Sequence, residues 1–527
     1  MTAVKVLISD KMSDRAAEIL RQRGVDVDFL PGMSAEELQE KIANYDGLAV
    51  RSSTTVTPEV IAAAKNLKVI GRAGIGVDNI DQKAATDAGI VVMNTPFGNA
   101  ITTAEHTVAM MFAVSRHIPQ ANASTHAGKW EKSKFMGQEL YAKTLGIIGC
   151  GNIGRIVASR ALGLQMKVVV YDPYLADAQA AELGVEKLDL DALAARADYI
   201  TLHTPLTEKT RGLVNAEFLG KTKKGVFIIN CARGALVAEQ DLLDALNSGH
   251  VAGAALDVFV EEPAHENILF GHGRVICTPH LGASTLEAQE NVAVQVAEQI
   301  ADFLLAGAVQ NALNMPSVSA EDAPKLKPYM KLSEQLGGLI GQITQSPIKS
   351  VRLTYEGAVS RLNVKPLSCM TLAGLLRPVL DGVNMVNAPA RAAERGIKIS
   401  ETFKEGGNGF HTLIKIEVDT ENSTHSASGT LFGESNPRIV NIEGVPIEAG
   451  VAPHMLFIRN EDKPGLIGAL GSLLGDAGIN IADFRLGRIE GKDQAVALVA
   501  VDEPLTPEVI KKITELPQIA RAHALSF

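Results

Sequence analysis

A chain of 527 residues, at roughly 150 residues per domain, calls for about three to four domains rather than one compact unit. Apolar residues make up 46% and charged residues 21%, an ordinary globular mix that excludes wholesale disorder, and no apolar run approaches the ~18–20 residues of a membrane-spanning helix. Acidic residues outnumber basic ones 60 to 50, for a formal charge of −10, which argues against a polyanion such as nucleic acid as partner.

At the N-terminus the apolar run after Lys5 is too brief for a signal-peptide core and reads as a first strand, so nothing is expected to mark the chain for export. Through residue 94, short apolar runs at 4–8, 25–29, 47–50, 69–70 and 90–93 alternate with helical stretches such as 14–22 and 35–42, the rhythm of a parallel α/β sheet. A helical stretch at 102–115 leads into a second series, with strands expected at 144–149, 167–171, 199–202, 226–230, 253–256 and 275–278. Strands interleaved with helices in this way form a doubly wound nucleotide-binding unit. A helix at 285–305 is long enough to run back to the first domain. The first domain is therefore expected to be discontinuous, 1–98 completed by 285–314, with the nucleotide-binding domain at 99–284.

After Pro316 the texture changes to one helix at 329–344, then polar strands and turns such as 405–409, with no chemical motif through residue 450. From 451 to 527 the order is βαββαβ, with Leu466, Leu470, Leu473 and Leu474 on one helical face, so a small sheet of four antiparallel strands is expected beneath it. Cys150, Cys231, Cys277 and Cys369 are widely spaced with no C-x-x-C pair. That disfavours structural zinc, or any metal site, and a disulfide framework, and it suits a reducing cytoplasm.

Gly149, Gly151 and Gly154 form a G-x-G-x-x-G that follows an apolar strand and opens a helix. The first two glycines let the turn close and the backbone approach a pyrophosphate; the third lets helix pack on strand, and the helix-end N–H groups meet the anion. Asp172 ends the next strand, where a carboxylate accepts hydrogen bonds from the ribose of NAD and repels the 2′-phosphate of NADP. Further on, Arg233, Glu262 and His280 each lie just past a strand. Ligands bind beyond the carboxyl ends of such strands, so the three can converge on one cleft. Singly, each suits a surface charge, a solvated loop acid or a histidine near a helix start equally well.

The runs GRAGIGVDN (71–79), MNTP (93–96), the glycine motif, HTPL (203–206), NCARG (230–234), DVFVEEP (257–263) and PHLGAST (279–285) occur in this order. Together they resemble the D-2-hydroxyacid dehydrogenase family, most closely its long phosphoglycerate dehydrogenase branch. Residues 315–450 look like that branch's intervening domain, and 451–527 look like an ACT domain. The resemblance implies NAD-dependent oxidation of 3-phosphoglycerate. An imidazole titrates near neutral pH and suits the proton transfer, so His280 is the expected acid/base. Glu262 would orient the ring, and Arg233 would grip the substrate carboxylate with two hydrogen bonds.

By the same likeness Asn152 and Ile153 touch the pyrophosphate, Thr204 lies beside the adenosine half and Asp257 bonds the nicotinamide amide. Cys231, Ala232, Arg233, His280, Leu281, Gly282 and Ala283 line the cofactor. A phosphate cradle is expected from Arg51, Ser52, Arg72 and Gly74, aided by Asn99. Ile75 departs from the threonine of some relatives, which removes one expected cofactor hydrogen bond. Asn460, Asp462 and Asn480 lie where regulated relatives hold L-serine, although a structural role for this module in a homo-oligomer, dimer or tetramer, fits as well. Two other functions stay open: a dehydrogenase of an unphosphorylated D-2-hydroxyacid, and an NAD-sensing regulator without catalysis.

Overall fold

Runs such as Gly47–Val50 and Val91–Asn94 are buried at every position, which suits strands of a parallel sheet covered by helices on both sides. The computed structural model describes residues 4–406, 409–489 and 493–527; two positions of the glycine-rich turn expected at 405–409 lie outside them. Strands β1 (Lys5–Ile8), β2 (Asp26–Phe29), β3 (Gly47–Val50), β4 (Val69–Arg72) and β5 (Val91–Asn94) form a parallel sheet in the order β2-β1-β3-β4-β5. Leu38, Val60 and Ala85 from three helices cover one face. The other face receives Val292, Val296 and Ile300 of the helix Leu286–Ala306. A Cβ on Gly71 would collide with Val296 and Ile300, so this glycine lets the returning helix lie directly on β4.

The second sheet contains β6 (Thr144–Ile148), β7 (Lys167–Tyr171), β8 (Glu186–Lys187), β9 (Tyr199–Leu202), β10 (Val226–Asn230), β11 (Val251–Leu256) and β12 (Val275–Cys277). All are parallel, in the order β12-β11-β10-β9-β6-β7-β8. Succession reverses between β6 and β9, which opens a crevice at their carboxyl ends. The sequence does not signal β8 because its two residues are exposed and charged and carry no apolar alternation. Met110, Met111 and Val114 of the helix Ala100–Arg116 cover one face of this sheet, and Leu193, Phe218 and Leu242 cover the other.

A mixed sheet follows, built from β13 (Ile348–Gly357), β14 (Lys398–Lys404), β15 (Thr412–Thr420), β16 (Thr424–Phe432), β17 (Asn436–Ile442) and β18 (Val445–Ala449). Its order is β14-β13-β15-β16-β17-β18, with only the β13–β14 pair parallel. The helix Lys365–Leu376 packs against Ala323–Ile343 so closely that a Cβ on Gly337 would strike the Thr371 carbonyl. Leu367, Leu372, Leu375 and Leu376 are all buried; a helix apolar all round shows no amphipathic period, which hid it in the sequence.

The last sheet has β19 (His454–Glu461), β20 (Ile481–Arg488), β21 (Gln494–Val501) and β22 (Ile519–Ser526), antiparallel in the order β20-β21-β19-β22. Leu466, Leu470, Leu474 and Ile513 from two helices cover one face. Met455, Phe457, Val496 and Leu498 on the other join the core of the preceding unit. The architecture is thus two doubly wound α/β units, an α+β unit and a βαββαβ module. At the junction of the last two, the Glu443 carboxylate receives His425 Nδ1 at 2.7 Å, Arg521 Nη2 at 2.7 Å and Arg459 Nη1 at 2.6 Å. Burial alone would raise this carboxyl, but the three donors outweigh it and hold it at about 2. Among the described residues no helix is long and apolar enough to cross a membrane.

Candidate active site

The glycine turn lies between β6 and the helix Asn152–Gly163. Gly149 has φ 93, and a Cβ there would collide with the His203 carbonyl; one on Gly154 would collide with the Gly149 carbonyl. Gly151 faces open space, and no side chain caps the helix it begins. Asp172 accepts from the Cys150 N–H and the Tyr174 N–H, each at 2.8 Å, so the expected ribose acceptor also braces the glycine turn. The Thr204 hydroxyl and the Asn99 Oδ1 are buried without a hydrogen-bond partner. The unpaired Thr204 hydroxyl, whose side chain lies against Gly149 at an uncapped helix end, fits a bound dinucleotide.

Across the crevice, His280 Nδ1 lies 2.6 Å from Glu262 Oε2, and the other Glu262 oxygen accepts from the Phe259 N–H at 2.9 Å. Burial tends to raise the Glu262 carboxyl, but hydrogen bonds from His280 and Phe259, with the Arg233 charge nearby, hold it below the usual carboxylate range. It is an anion facing the ring. The Arg233 Nε donates to Asp78 Oδ2 at 2.6 Å and its Nη1 to the Ala232 carbonyl at 2.7 Å. A Cβ on Gly76 would collide with Arg233 Nη2, and one on Gly74 with Arg72 Nη1. The turn after β4 thus needs glycine at both positions to seat two guanidiniums. Burial, with the charges of Arg233 and Arg51 in range, pushes Arg72 down to about 10, and its Nε has no partner.

Asp257 is fully buried. Its Oδ1 accepts from the Thr278 hydroxyl and the Leu281 N–H and lies 3.2 Å from His106 Nε2; Oδ2 accepts from the Gly282 N–H. Both oxygens accept from protein donors, so the residue that the family likeness places at the nicotinamide also ties down the loop after β12. The Cys231 thiol beside it is pushed up by burial to about 12 and stays protonated. In the last module Arg488 holds Asp462, Asn480 donates to Asp502 and the Asn460 Oδ1 is buried without a partner. The expected residues Ser52, Ile153 and Ala283 make no side-chain hydrogen bond among the described residues.

Residues 108–282 match the NAD-binding domain of the D-isomer specific 2-hydroxyacid dehydrogenases, 325–443 the intervening domain of D-3-phosphoglycerate dehydrogenase, and 454–518 the ACT domain. A curated D-3-phosphoglycerate dehydrogenase of Bacillus subtilis is 42% identical over 98% of both chains. One of Methanocaldococcus jannaschii is 43% identical over the same shares. The chain belongs to the D-3-phosphoglycerate dehydrogenase family. Among solved structures, the NAD-bound 3-phosphoglycerate dehydrogenase of Entamoeba histolytica aligns with TM-score 0.51 and 31% identity over 59% of this chain and 99% of its own. The TT0316 protein of Thermus thermophilus aligns with TM-score 0.55 and 34% identity, covering the same 59% of this chain and all 100% of its own.

Like its family, the chain is an NAD-dependent dehydrogenase, and three residues outside the expected set shape its site. Asp78 stood inside a matching run without a role. Thr103 donates to the Gly282 carbonyl at 2.9 Å, and His106 lies against Asp257 and Thr278. Their signal was a polar stripe, Thr103, His106 and Thr107, at helical spacing on a helix whose Thr103 and Thr107 are buried.

Proposed function

We propose that the protein oxidises 3-phospho-D-glycerate to 3-phosphohydroxypyruvate, the first step of L-serine biosynthesis. The observation that carries this reading is the set of guanidiniums Arg51 and Arg233, each in electrostatic range of Arg72, with Arg233 in range of Glu262 of the Glu262–His280 pair. Guanidiniums are forked donors that pair with carboxylates and phosphates, which suits a substrate with a carboxylate at one end and a phosphate at the other.

Arg233 and the turn at Gly76 hold the carboxylate; Arg72, Arg51, Ser52, Gly74 and Asn99 hold the phosphate. Glu262 keeps the Nδ1 proton of His280, which leaves Nε2 to take the C2 hydroxyl proton. Gly149, Gly151, Asn152, Ile153, Gly154, Asp172, Thr204 and the 280–283 loop would hold NAD, which when bound would supply the acceptor for the C2 hydride. His280 takes the hydroxyl proton as C2 gives up its hydride, which turns the alcohol into a ketone.

The test is NADH appearance with 3-phosphoglycerate and with glycerate, each with and without serine. Turnover of the phosphorylated acid alone supports the reading; preference for glycerate assigns an unphosphorylated substrate, and NAD binding without turnover of either assigns a regulator. Arg51→Ala should reduce the preference for the phosphorylated acid by about tenfold or more, the loss of one charge-assisted hydrogen bond worth ~1.5–3 kcal/mol. An unchanged kcat/KM ratio between the two acids would remove Arg51 from the cradle.

L-Serine is the effector we assign to Asn460, Asp462 and Asn480; the unpartnered Asn460 Oδ1 supports a polar ligand there. A homo-oligomer, dimer or tetramer, is supported by the exposed Ile118, Trp130, Met136 and Tyr141, 51 to 88% accessible within one short stretch, an apolar surface of the kind that associates. The domain bounds we assign are 1–98 with 285–314, 99–284, 315–450 and 451–527, in a cytoplasmic protein whose four cysteines are free.

A further inference from the structure

We propose that His106 is a positioning residue for His280, acting through Asp257 and Thr278. The proposal rests on the assignment of His280 as proton acceptor and extends it to the helix that lies beneath the loop. His280 has φ 55, a left-handed conformation that costs a residue with a Cβ about 1 kcal/mol or more and persists only where its surroundings enforce it. The enforcement is visible. The His280 N–H donates to the Asp257 carbonyl at 2.8 Å and to the Thr278 carbonyl at 3.1 Å. The next two N–H groups, of Leu281 and Gly282, close on the two Asp257 carboxylate oxygens at 2.7 and 2.8 Å. The backbone that carries the catalytic imidazole is therefore placed by Asp257, while Glu262 turns the ring.

His106 touches that carboxylate from the opposite side. Its Nε2 is 3.2 Å from Asp257 Oδ1 and 3.2 Å from Thr278 Oγ1. The Thr278 hydroxyl hydrogen is already given to Asp257 Oδ1 at 2.6 Å, so its oxygen can only accept from the ring. The tautomer follows: His106 carries its proton on Nε2 and shares it between a hydroxyl oxygen and a carboxylate oxygen. Burial pushes the Asp257 carboxyl up, but donors led by His106 and Thr278 outweigh it, and the group lies below the usual carboxylate range. With Asp257 fully buried, a lost donor is not replaced by bulk water, and the carboxylate re-optimises its geometry by shifting the loop it holds.

The test uses the full-length protein and steady-state oxidation of 3-phosphoglycerate. His106→Leu is expected to lower kcat about tenfold, since a displacement of a reacting group by a fraction of an ångström to 1 Å costs one to two decades. The KM for 3-phosphoglycerate should hold, and the affinity for NADH should weaken by less than kcat falls, because the same loop also lines the cofactor. His106→Gln, whose amide N–H reaches the same place as Nε2, should recover most of the rate. In a His280→Asn background His106→Leu should have little further effect, because a residue that works by aiming His280 has nothing left to aim.

A wild-type kcat in His106→Leu overturns the proposal. So does an undiminished loss in the His280→Asn background, or no recovery in His106→Gln. If His106→Leu does not fold, Thr278→Val removes the hydroxyl between His106 and Asp257 with little change in shape and carries the same expectations. Wild-type protein that yields no NADH from 3-phosphoglycerate, or a fully active His280→Asn, overturns the assignment beneath and the proposal with it; the outcomes named before overturn the proposal alone.

Discussion

Substitution of His280 by asparagine is expected to lower kcat for 3-phosphoglycerate oxidation by about 10³-fold, within the range of 10²–10⁴ that a positioned general acid–base supplies. The 2.6 Å contact from Nδ1 to Glu262 spends one ring nitrogen on orientation, so the chemistry falls to the other. Asparagine keeps a donor toward Glu262 but cannot take the hydroxyl proton. Binding should survive: the carboxylate grip lies on Arg233 and the dinucleotide on the glycine turn, so KM and NADH affinity should move little. The pH dependence separates the two directions. Oxidation needs a proton acceptor at Nε2 and slows toward acid; reduction needs a proton donor there and slows toward base. Both limbs should vanish in the variant. Stopped-flow and steady-state NADH measurements over pH decide the matter, and a variant that retains its rate and its pH limbs would transfer the proton to another group.

How much of this could be read from the chain alone follows from range. The strand rhythm and the glycine turn are local patterns, and their strands fall within a few residues of expectation. The βαββαβ module is almost as clear: Gln494–Val501 matches in full because after Gln494 it is one unbroken apolar run, and the leucine spacing marks the helix Leu466–Asp476. The helix Lys365–Leu376 and strand Glu186–Lys187 were hidden, one by burial on nearly every side and the other by full exposure. At the site, Arg233, Glu262 and His280 were marked by their places after strands. Asp78 and His106 were not, because each has meaning only through a partner far along the chain. Asp78 meets Arg233 across 155 positions, and His106 meets Thr278 across 172. Asp257, placed beside the nicotinamide by the likeness, also anchors the histidine loop through its hydrogen bonds, a long-range role that no local pattern marks.

The second large effect is expected at Arg233. Arg233→Ala should reduce kcat/KM by about 10²–10³-fold, as truncation of one member of a close charge pair costs about 2–5 kcal/mol, with a tenfold change for each ~1.4 kcal/mol. Its neighbours explain why lysine is no substitute. Nε is committed to Asp78 and Nη1 to the Ala232 carbonyl, while Nη2 rests on Gly76; three anchors on one planar group aim the remaining N–H bonds at the place where a carboxylate fits. An ammonium has neither the plane nor the number of donors, so Arg233→Lys should recover at most a small part of the loss. The vacancy also exposes Asp78, whose charge would repel the substrate carboxylate once its cation is gone. Asp78→Asn should therefore restore part of the activity of Arg233→Ala, although in the wild-type background it releases the guanidinium and lowers kcat/KM. The pair is partly exposed, 29% and 64%, so its contribution to folding is within about 1 kcal/mol, and the melting temperatures of all four proteins should nearly coincide. The decisive measurement is the double-mutant cycle in kcat/KM for 3-phosphoglycerate. If Asp78→Asn worsens Arg233→Ala as much as it worsens the wild type, the two act independently, and Arg233 does not take its aim from the opposite wall of the crevice.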